Sequence, residues 1–368
     1  MIGRGRGVAL WALAVAVAAC TGGPTTTGSN DPSHAATNPP VSMPTSACLV
    51  GVSWEDRTSS RWAAWDEPSI RKALETAGAA YVATDAAASA ATQLSDVDHL
   101  IAEGVRVLVI NAADREAILP AVASATSQGI AVIAYDRLID DPQVLYLSFD
   151  NVEVGRMQAR AVLSAAPKGN YVFMKGDQGD ANSDFLRSGQ AEVLKAAISG
   201  GDVTVVGETY VDGWEPAVAN VDMIRFLDAT GDKVAAVLAE NDGLADGIMV
   251  AIDEHHLAGK VAISGQDGDP TGLNRVALGT QTVDVWKDAR LLGKAAAAAA
   301  LELCSGTPVQ DVTGTGTFDT PRGNKVSSIL LKPEAITRDN LTDVIGAGWI
   351  EASAVCQGVQ PKTVAGCP

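Results

Sequence analysis

The chain has 368 residues, more than one hydrophobic core usually serves, and its 47% hydrophobic against 19% charged residues fit folded domains and exclude a disordered polymer. A net charge of −17 repels a phosphate backbone, and no basic run follows the first few residues, so nucleic acid is excluded as a partner.

The N-terminus comes first. Arg4 and Arg6 precede an apolar run from Gly7 to Ala19 that ends in small residues, the pattern of an export signal too short to span a bilayer. Val17-Ala18-Ala19-Cys20 resembles the bacterial lipobox, in which the cysteine is acylated and becomes the mature N-terminus. Residues 1–20 are thus expected to be a lipoprotein signal peptide with its lipobox. The protein is expected to be exported and held on the outer face of the cell membrane through lipidated Cys20. Residues 21–47 are mostly Thr, Pro, Ser, Gly and Asn, with too few apolar groups to offset the entropy of ordering, and read as a disordered linker.

From Leu49 onward, short apolar runs alternate with longer helical patterns. Strands are predicted at Leu49–Ser53, Tyr81–Thr84, Val105–Ile110, Ala131–Tyr135, Tyr171–Met174, Val203–Val206, Val234–Ala239, Val261–Ser264 and Thr282–Trp286. Helices are predicted between them, among others over Arg115–Gln128, Asn151–Ala166, Asp184–Ser199 and Ala217–Thr230. The alternation predicts an α/β fold of doubly wound parallel sheets covered by helices on both faces. Ligands of such sheets sit beyond the carboxyl ends of the strands. The polar residues there include Glu55, Asp56, Asn111, Asp136, Arg137, Asp177 to Asn182, Asn241, Asp242 and Gln266 to Asp269.

Past the lipobox, Cys48, Cys304, Cys356 and Cys367 remain, an even count that in an oxidising compartment points to two disulfides with three alternative pairings. Closeness in sequence favours Cys356 with Cys367, which leaves Cys48 with Cys304. No CxxC pair occurs, and no metal or cofactor is expected. There is no GxSxG elbow, HExxH pair or Walker A loop, so an enzyme is not expected. Of the four histidines, His34, His99, His255 and His256, the last two lie at the end of a predicted helix and read as solvated surface.

What remains suits a polyol. A pyranose has apolar C–H faces and a rim of hydroxyls, so its receptor needs flat aromatics together with charged and amide groups. Trp62 and Trp214 supply flat faces; packing in a core explains either one equally well. Arg61, Arg137 and Lys287 donate, Asp180 and Asp267 accept, and Asn182 and Asn241 do both. Asp180 and Asn182 are equally readable as helix N-caps.

Tyr135-Asp136-Arg137-Leu138-Ile139, Ser148-Phe149-Asp150-Asn151, Val211-Asp212-Gly213-Trp214, Val261 to Asp267 and Gly279-Thr280-Gln281-Thr282 followed by Lys287 resemble the D-xylose-binding protein family of bacterial ABC transporters, over roughly Leu49 to Ile350. The resemblance implies a type I periplasmic-binding fold, two lobes joined by three crossings near Ser148–Asn151, Gly279–Val283 and Phe318–Asn324. The N-terminal lobe is then expected over 48–149 plus 283–318, the C-terminal lobe over 150–282 plus 319–350, and a Cys-containing tail over 351–368. It also implies that Arg61, Trp62, Arg137, Asp180, Asn182, Trp214, Asn241, Asp267 and Lys287 contact sugar. Arg61, Trp62, Arg137 and Lys287 would come from the N-terminal lobe or its hinge and the others from the C-terminal lobe. The expected partners are a monosaccharide, most of all D-xylose, a membrane-embedded ABC permease and, through the anchor, the membrane; the protein itself is expected to be a monomer.

Departures from the family occur at Lys175–Gly179, Glu240, Arg57–Ser60 and the tail from Glu351, and they bear on which aldose binds. Glucose is one alternative ligand, and a sensor subunit presenting sugar to a signalling receptor is an alternative role. Asp180 with Asp267 as an acid and base pair on a glycoside, or Lys287 as a Schiff-base amine, would make an enzyme, but no other catalytic signature accompanies them. A sugar-responsive repressor needs a DNA-binding head where the export signal stands.

Overall fold

A computed structural model describes residues 48–57 and 61–367. The signal peptide, Cys20, the linker and His34 lie outside the described residues. Strands form at β1 (Leu49–Trp54), β2 (Ala80–Asp85), β3 (Val107–Ile110), β4 (Ala131–Tyr135), β5 (Val144–Phe149), β6 (Gly169–Lys175), β7 (Val203–Tyr210), β8 (Ala236–Ala239), β9 (Ala262–Gln266), β10 (Val283–Trp286), β11 (Gly316–Asp319), β12 (Lys325–Leu331) and β13 (Glu334–Ile336). The helices are α1 (Glu67–Thr76), α2 (Ala90–Ala102), α3 (Leu119–Ser127), α4 (Asn151–Ala165), α5 (Ala181–Ser199), α6 (Pro216–Thr230), α7 (Asp242–Glu254), α8 (Pro270–Leu278), α9 (Ala289–Cys304), α10 (Leu341–Gly346) and α11 (Ala352–Val355). A short π-helical turn over Trp62–Asp66 precedes α1.

Two sheets result, ordered β11-β12-β5-β4-β3-β1-β2 and β13-β10-β9-β8-β6-β7. Only β11 with β12 and β10 with β13 pair antiparallel; the other pairs are parallel. Parallel strands must be covered on both faces, and β3 and β5 are buried at every residue. Each sheet with its helices is one lobe.

Small residues set how closely the layers approach. The buried face of α9 is largely alanine (Ala296, Ala297, Ala299, Ala300), which packs it against the core under β1 and β3. The axes of α4 and α5 come together at two glycines: a Cβ on Gly155 would lie 2.0 Å from the Leu186 carbonyl oxygen, and one on Gly189 would lie 2.0 Å from that of Val152. Backbone cannot yield as a side chain can. Gly155→Val is therefore expected to cost about 3 kcal/mol in a urea melt; a loss under about 1 kcal/mol would show that the helices separate freely.

The sheet memberships correct the expected crossings. β10 joins the second sheet, between β9 and β13, and β12 joins the first, parallel to β5. The second and third crossings thus fall after Trp286 and after Leu331, later than Gly279–Val283 and Phe318–Asn324. Residues 283–286 belong to the second lobe and 319–331 to the first. The cause is edge pairing: β10 and β12 each continue a parallel sheet before the chain changes lobe.

Residues after Glu351 do not stand apart. Val355, Val364 and Cys367 are buried with Leu273 and Trp349, and Asn274 Nδ2 donates to the Val355 and Gln357 carbonyls at 2.8 and 2.9 Å. Disulfides join Cys356 to Cys367 within this segment and Cys48 to Cys304, which ties the start of β1 to the end of α9. Trp65, from the π-helical turn, stacks on Trp349 of the second lobe with ring centroids 4.2 Å apart.

Candidate functional site

A cavity of about 380 Å³ opens between the carboxyl ends of the two sheets. All nine residues predicted to meet ligand line it. Arg61 and Trp62 follow β1, Arg137 follows β4, Asp180 and Asn182 follow β6, Trp214 follows β7, Asn241 follows β8, Asp267 follows β9 and Lys287 follows β10. Lys287, expected from the first lobe or its hinge, sits at the second crossing. Glu55, Asp136 and Gln266 also line the cavity; their place beyond strand ends was the readable signal. Asp66, beneath the cavity, carries no such mark.

Two arginines organise the floor. Arg61 is 6% exposed and donates to Asp66 (3.2 Å), Asp136 (2.6 Å) and, across the cleft, Asp267 (3.3 Å). Its guanidinium lies 4.5 Å from the centre of the Trp62 ring. Arg137 grips both oxygens of Glu55, donates to the Ala112 carbonyl at 3.0 Å and reaches Asp180 of the second lobe at 3.1 Å. Asn182 donates to the Asp136 carbonyl at 3.2 Å and accepts from Asn151 at 2.8 Å. Both lobes thus meet through ionic and amide groups at the site itself.

The N-cap reading holds for Asp180 but not for Asn182, which lies inside α5; Asn241, not read as a cap, is one. The Asp180 carboxylate accepts from the Asn182 amide at 2.9 Å to open α5, and the Asn241 side chain accepts from the Leu244 amide at 2.8 Å to open α7. Capping fixes their side chains at the cavity wall, so the structural role and a binding role are compatible.

Burial shapes the charges. Burial lowers the pKa of Lys287, 1% exposed, against the pull of Asp267 and Asp136. Burial also works against the Asp136 carboxylate, but Arg61 and Lys287 outweigh it and hold that group below the usual range. Glu55 and Asp180 are raised by burial, with Arg137 opposing. Asp66 is pushed up to about 7 by burial, with Arg61 and a 2.5 Å hydrogen bond from the Tyr135 hydroxyl opposing.

Backbone strain gathers here as well. Asp136, Trp214 and Asp267 have φ of 63°, 57° and 95°, a region that non-glycine residues rarely occupy. Trp214 is held there by its amide donating to the Val211 carbonyl at 3.1 Å, and its ring fills the space where Gly176 lacks a Cβ. The neighbouring Gly213 amide donates to Asp177 at 2.6 Å.

Proton linkage gives a stability prediction. Asp66, and the buried Asp284 of β10, have carboxyls raised to about 7 from the ordinary 3.8. The folded state therefore holds protons that the unfolded chain has already released, and stability falls as pH rises through about 7. At about 1.4 kcal/mol for each pKa unit, Tm is expected to be several degrees higher near pH 5.5 than near pH 8. Asp66→Asn should flatten that slope in calorimetry, and an unchanged slope would clear Asp66 of the effect.

Two parallel α/β lobes closing on a polar, aromatic-walled cleft define a solute receptor of the periplasmic-binding class. Residues 50–308 match the family model described as a periplasmic binding protein domain. The chain belongs to the type I periplasmic sugar-binding protein family. It is 39% identical over 299 residues to the D-xylose-binding periplasmic protein of Escherichia coli (strain K12), a match covering 80% of this chain and 88% of that one. The D-xylose-binding periplasmic protein of Haemophilus influenzae is 35% identical, covering 80% and 88%. Among solved structures, an ABC transporter solute-binding protein from Clostridium phytofermentans with bound β-D-glucose superposes with a TM-score of 0.75 at 27% identity, covering 83% of this chain and 99% of that one. These are solute-binding proteins, and the chain is not an enzyme.

Proposed function

We propose that the protein is a lipid-anchored extracytoplasmic receptor that captures a monosaccharide, D-xylose before other aldoses, and delivers it to an ABC permease. The observation that carries the reading is convergence. Two indole plates, Trp62 and Trp214, and a ring of Arg, Lys, Asp and Asn groups from both lobes face one cavity. Gln266 adds a buried side-chain oxygen that no protein donor among the described residues meets, an acceptor suited to a sugar hydroxyl.

Charge narrows the ligand. The lining holds eight acidic residues (Glu55, Asp56, Asp136, Asp180, Glu215, Asp246, Asp267, Asp269) against three cations (Arg61, Arg137, Lys287), so neutral sugars are favoured over uronic acids and sugar phosphates. The D-xylose-binding relatives support xylose, while the glucose-bound structural relative makes glucose the alternative. Closure of the lobes on sugar, with contacts drawn from both, is the state a permease would recognise. The lipobox at Cys20 supports anchoring.

A thermal-shift panel of xylose, glucose, ribose, arabinose and galactose tests this. At about 1,000 times the dissociation constant, the true ligand should stabilise by about 4 kcal/mol. A larger shift with glucose would overturn xylose and leave the receptor class standing. Trp214→Ala is expected to raise the dissociation constant by about 50-fold, matching about 2–3 kcal/mol of lost apolar contact; an unchanged shift removes Trp214 from the site.

A further inference from the structure

Asp242 and Asp284 form a group that contacts the cleft only through backbone. Both are wholly buried, both lie in the second lobe, and their carboxyls lie close enough to act on each other. Their other bonds converge on the loop that carries Asp267. Asp284 Oδ1 accepts from the Gly268 amide at 3.0 Å, and Asp242 Oδ2 accepts from the Asp269 amide at 3.0 Å. Gln281 Nε2 donates to Asp242 Oδ1 at 2.9 Å. Asp284 Oδ2 has no donor from elsewhere among the described residues, the arrangement of a carboxylate paired with a carboxylic acid.

The surroundings leave no room for another geometry. A Cβ on Gly265 would lie 2.0 Å from Asp242 Oδ1, and one on Gly272 would lie 2.3 Å from Asp242 Oδ2. The charged groups nearby are Asp267 and Asp269 of the loop, and Arg275 of α8, which bonds Asp246 of α7, Gln281 and the Asp242 carbonyl. Arg275 is the sole cation among these, against two further carboxylates on the loop. Two full negative charges at the pair would repel each other and the loop.

We propose that Asp242 and Asp284 are positioning residues, a pair sharing a proton that holds the Asp267–Asp269 loop against the cleft, so that sugar affinity depends on the proton being kept. The proposal rests on the sugar-binding reading above. Burial raises both carboxyls; the charge of Asp284 adds to it at Asp242, which stands well above the ordinary range, and the charges of Asp269 and Asp267 add to it at Asp284, which stands at about 7 with Asp242 and the Gly268 amide opposing. Lys287 also loses charge on the alkaline side, so the pH profile needs a variant that separates the two.

The test is calorimetric titration of the full-length protein with D-xylose and with D-glucose from about pH 7.5 to about pH 10. Wild type is expected to weaken about tenfold or more across that range. Asp284→Asn keeps an acceptor for Gly268 and donates an amide proton that does not titrate, so its alkaline loss should shrink to about threefold, the part due to Lys287. Asp284→Ala removes the acceptor and should weaken binding about tenfold already at pH 7.5, with Asp284→Asn rescuing most of that. An alkaline loss in Asp284→Asn as large as in wild type, or an unchanged affinity in Asp284→Ala, overturns the proposal. Hydrogen exchange at the Gly268 and Asp269 amides of the sugar-free protein decides the matter even if neither sugar binds. Exchange about tenfold faster in Asp284→Ala supports positioning while the sugar reading fails, and unchanged exchange overturns positioning.

Discussion

Arg61→Ala is expected to abolish sugar binding and to lower unfolding stability by about 3–5 kcal/mol. Arg61 is the common partner of Asp66, Asp136 and Asp267, all buried, and its loss leaves three carboxylates facing one another without the cation they share; Lys287, 3.9 Å from Asp267, does not replace its bonds to Asp66 and Asp136. Asp66 belongs to the π-helical turn, Asp136 to the strand end of the first lobe and Asp267 to the second lobe, so the same change also cuts a bond across the cleft. Arg61→Lys restores charge without the planar fork and should recover only part of either loss. Urea melts and titration calorimetry with xylose give both numbers. A variant that loses under about 1 kcal/mol and binds within a few-fold of wild type would show that the carboxylates find other partners.

Removing the Cys48–Cys304 disulfide by a double Ser substitution should be the costliest change away from the cleft. It closes a separation of 256 residues, whereas Cys356–Cys367 closes 11. Loop-closure entropy then predicts about 5.5 kcal/mol for the first and about 3 for the second, an interval that calorimetry can resolve as a Tm loss of about 8 °C against about 4 °C. Equal losses would contradict the loop-length account and point to local packing at α9 and β1 instead.

The central strands were legible because burial on both faces demands unbroken apolar runs, as in Val107–Ile110 and Ala131–Tyr135. Val144–Phe149 is as apolar as these and was missed although the signal stood there. β12 was missed for a better reason: it alternates buried and partly exposed residues beside β11 at the sheet edge, so Lys325 to Leu331 lacks a continuous apolar run. The same edge pairing misplaced two crossings. At the site, strand-end position and hydrogen-bonding type singled out Arg137, Asp180 and Asp267, and hydrogen-bonding type alone Arg61, while the pairing of each arginine with carboxylates of both lobes depends on long-range geometry that spacing does not encode. Asp66 lies five residues past Arg61 and Asp284 lies mid-strand; nothing local distinguishes either from a surface acid, and only the fold buries them.

The Trp65–Trp349 stack has an optical corollary. One indole is anchored beside the first lobe's cleft residues, and the other donates to the Gly268 carbonyl at 2.6 Å beside those of the second. Rings stacked this closely share their electronic transitions, and swinging the lobes apart would uncouple them. Near-ultraviolet dichroism and emission colour thus give the protein a dye-free gauge of its own hinge, readable on a stopped-flow timescale.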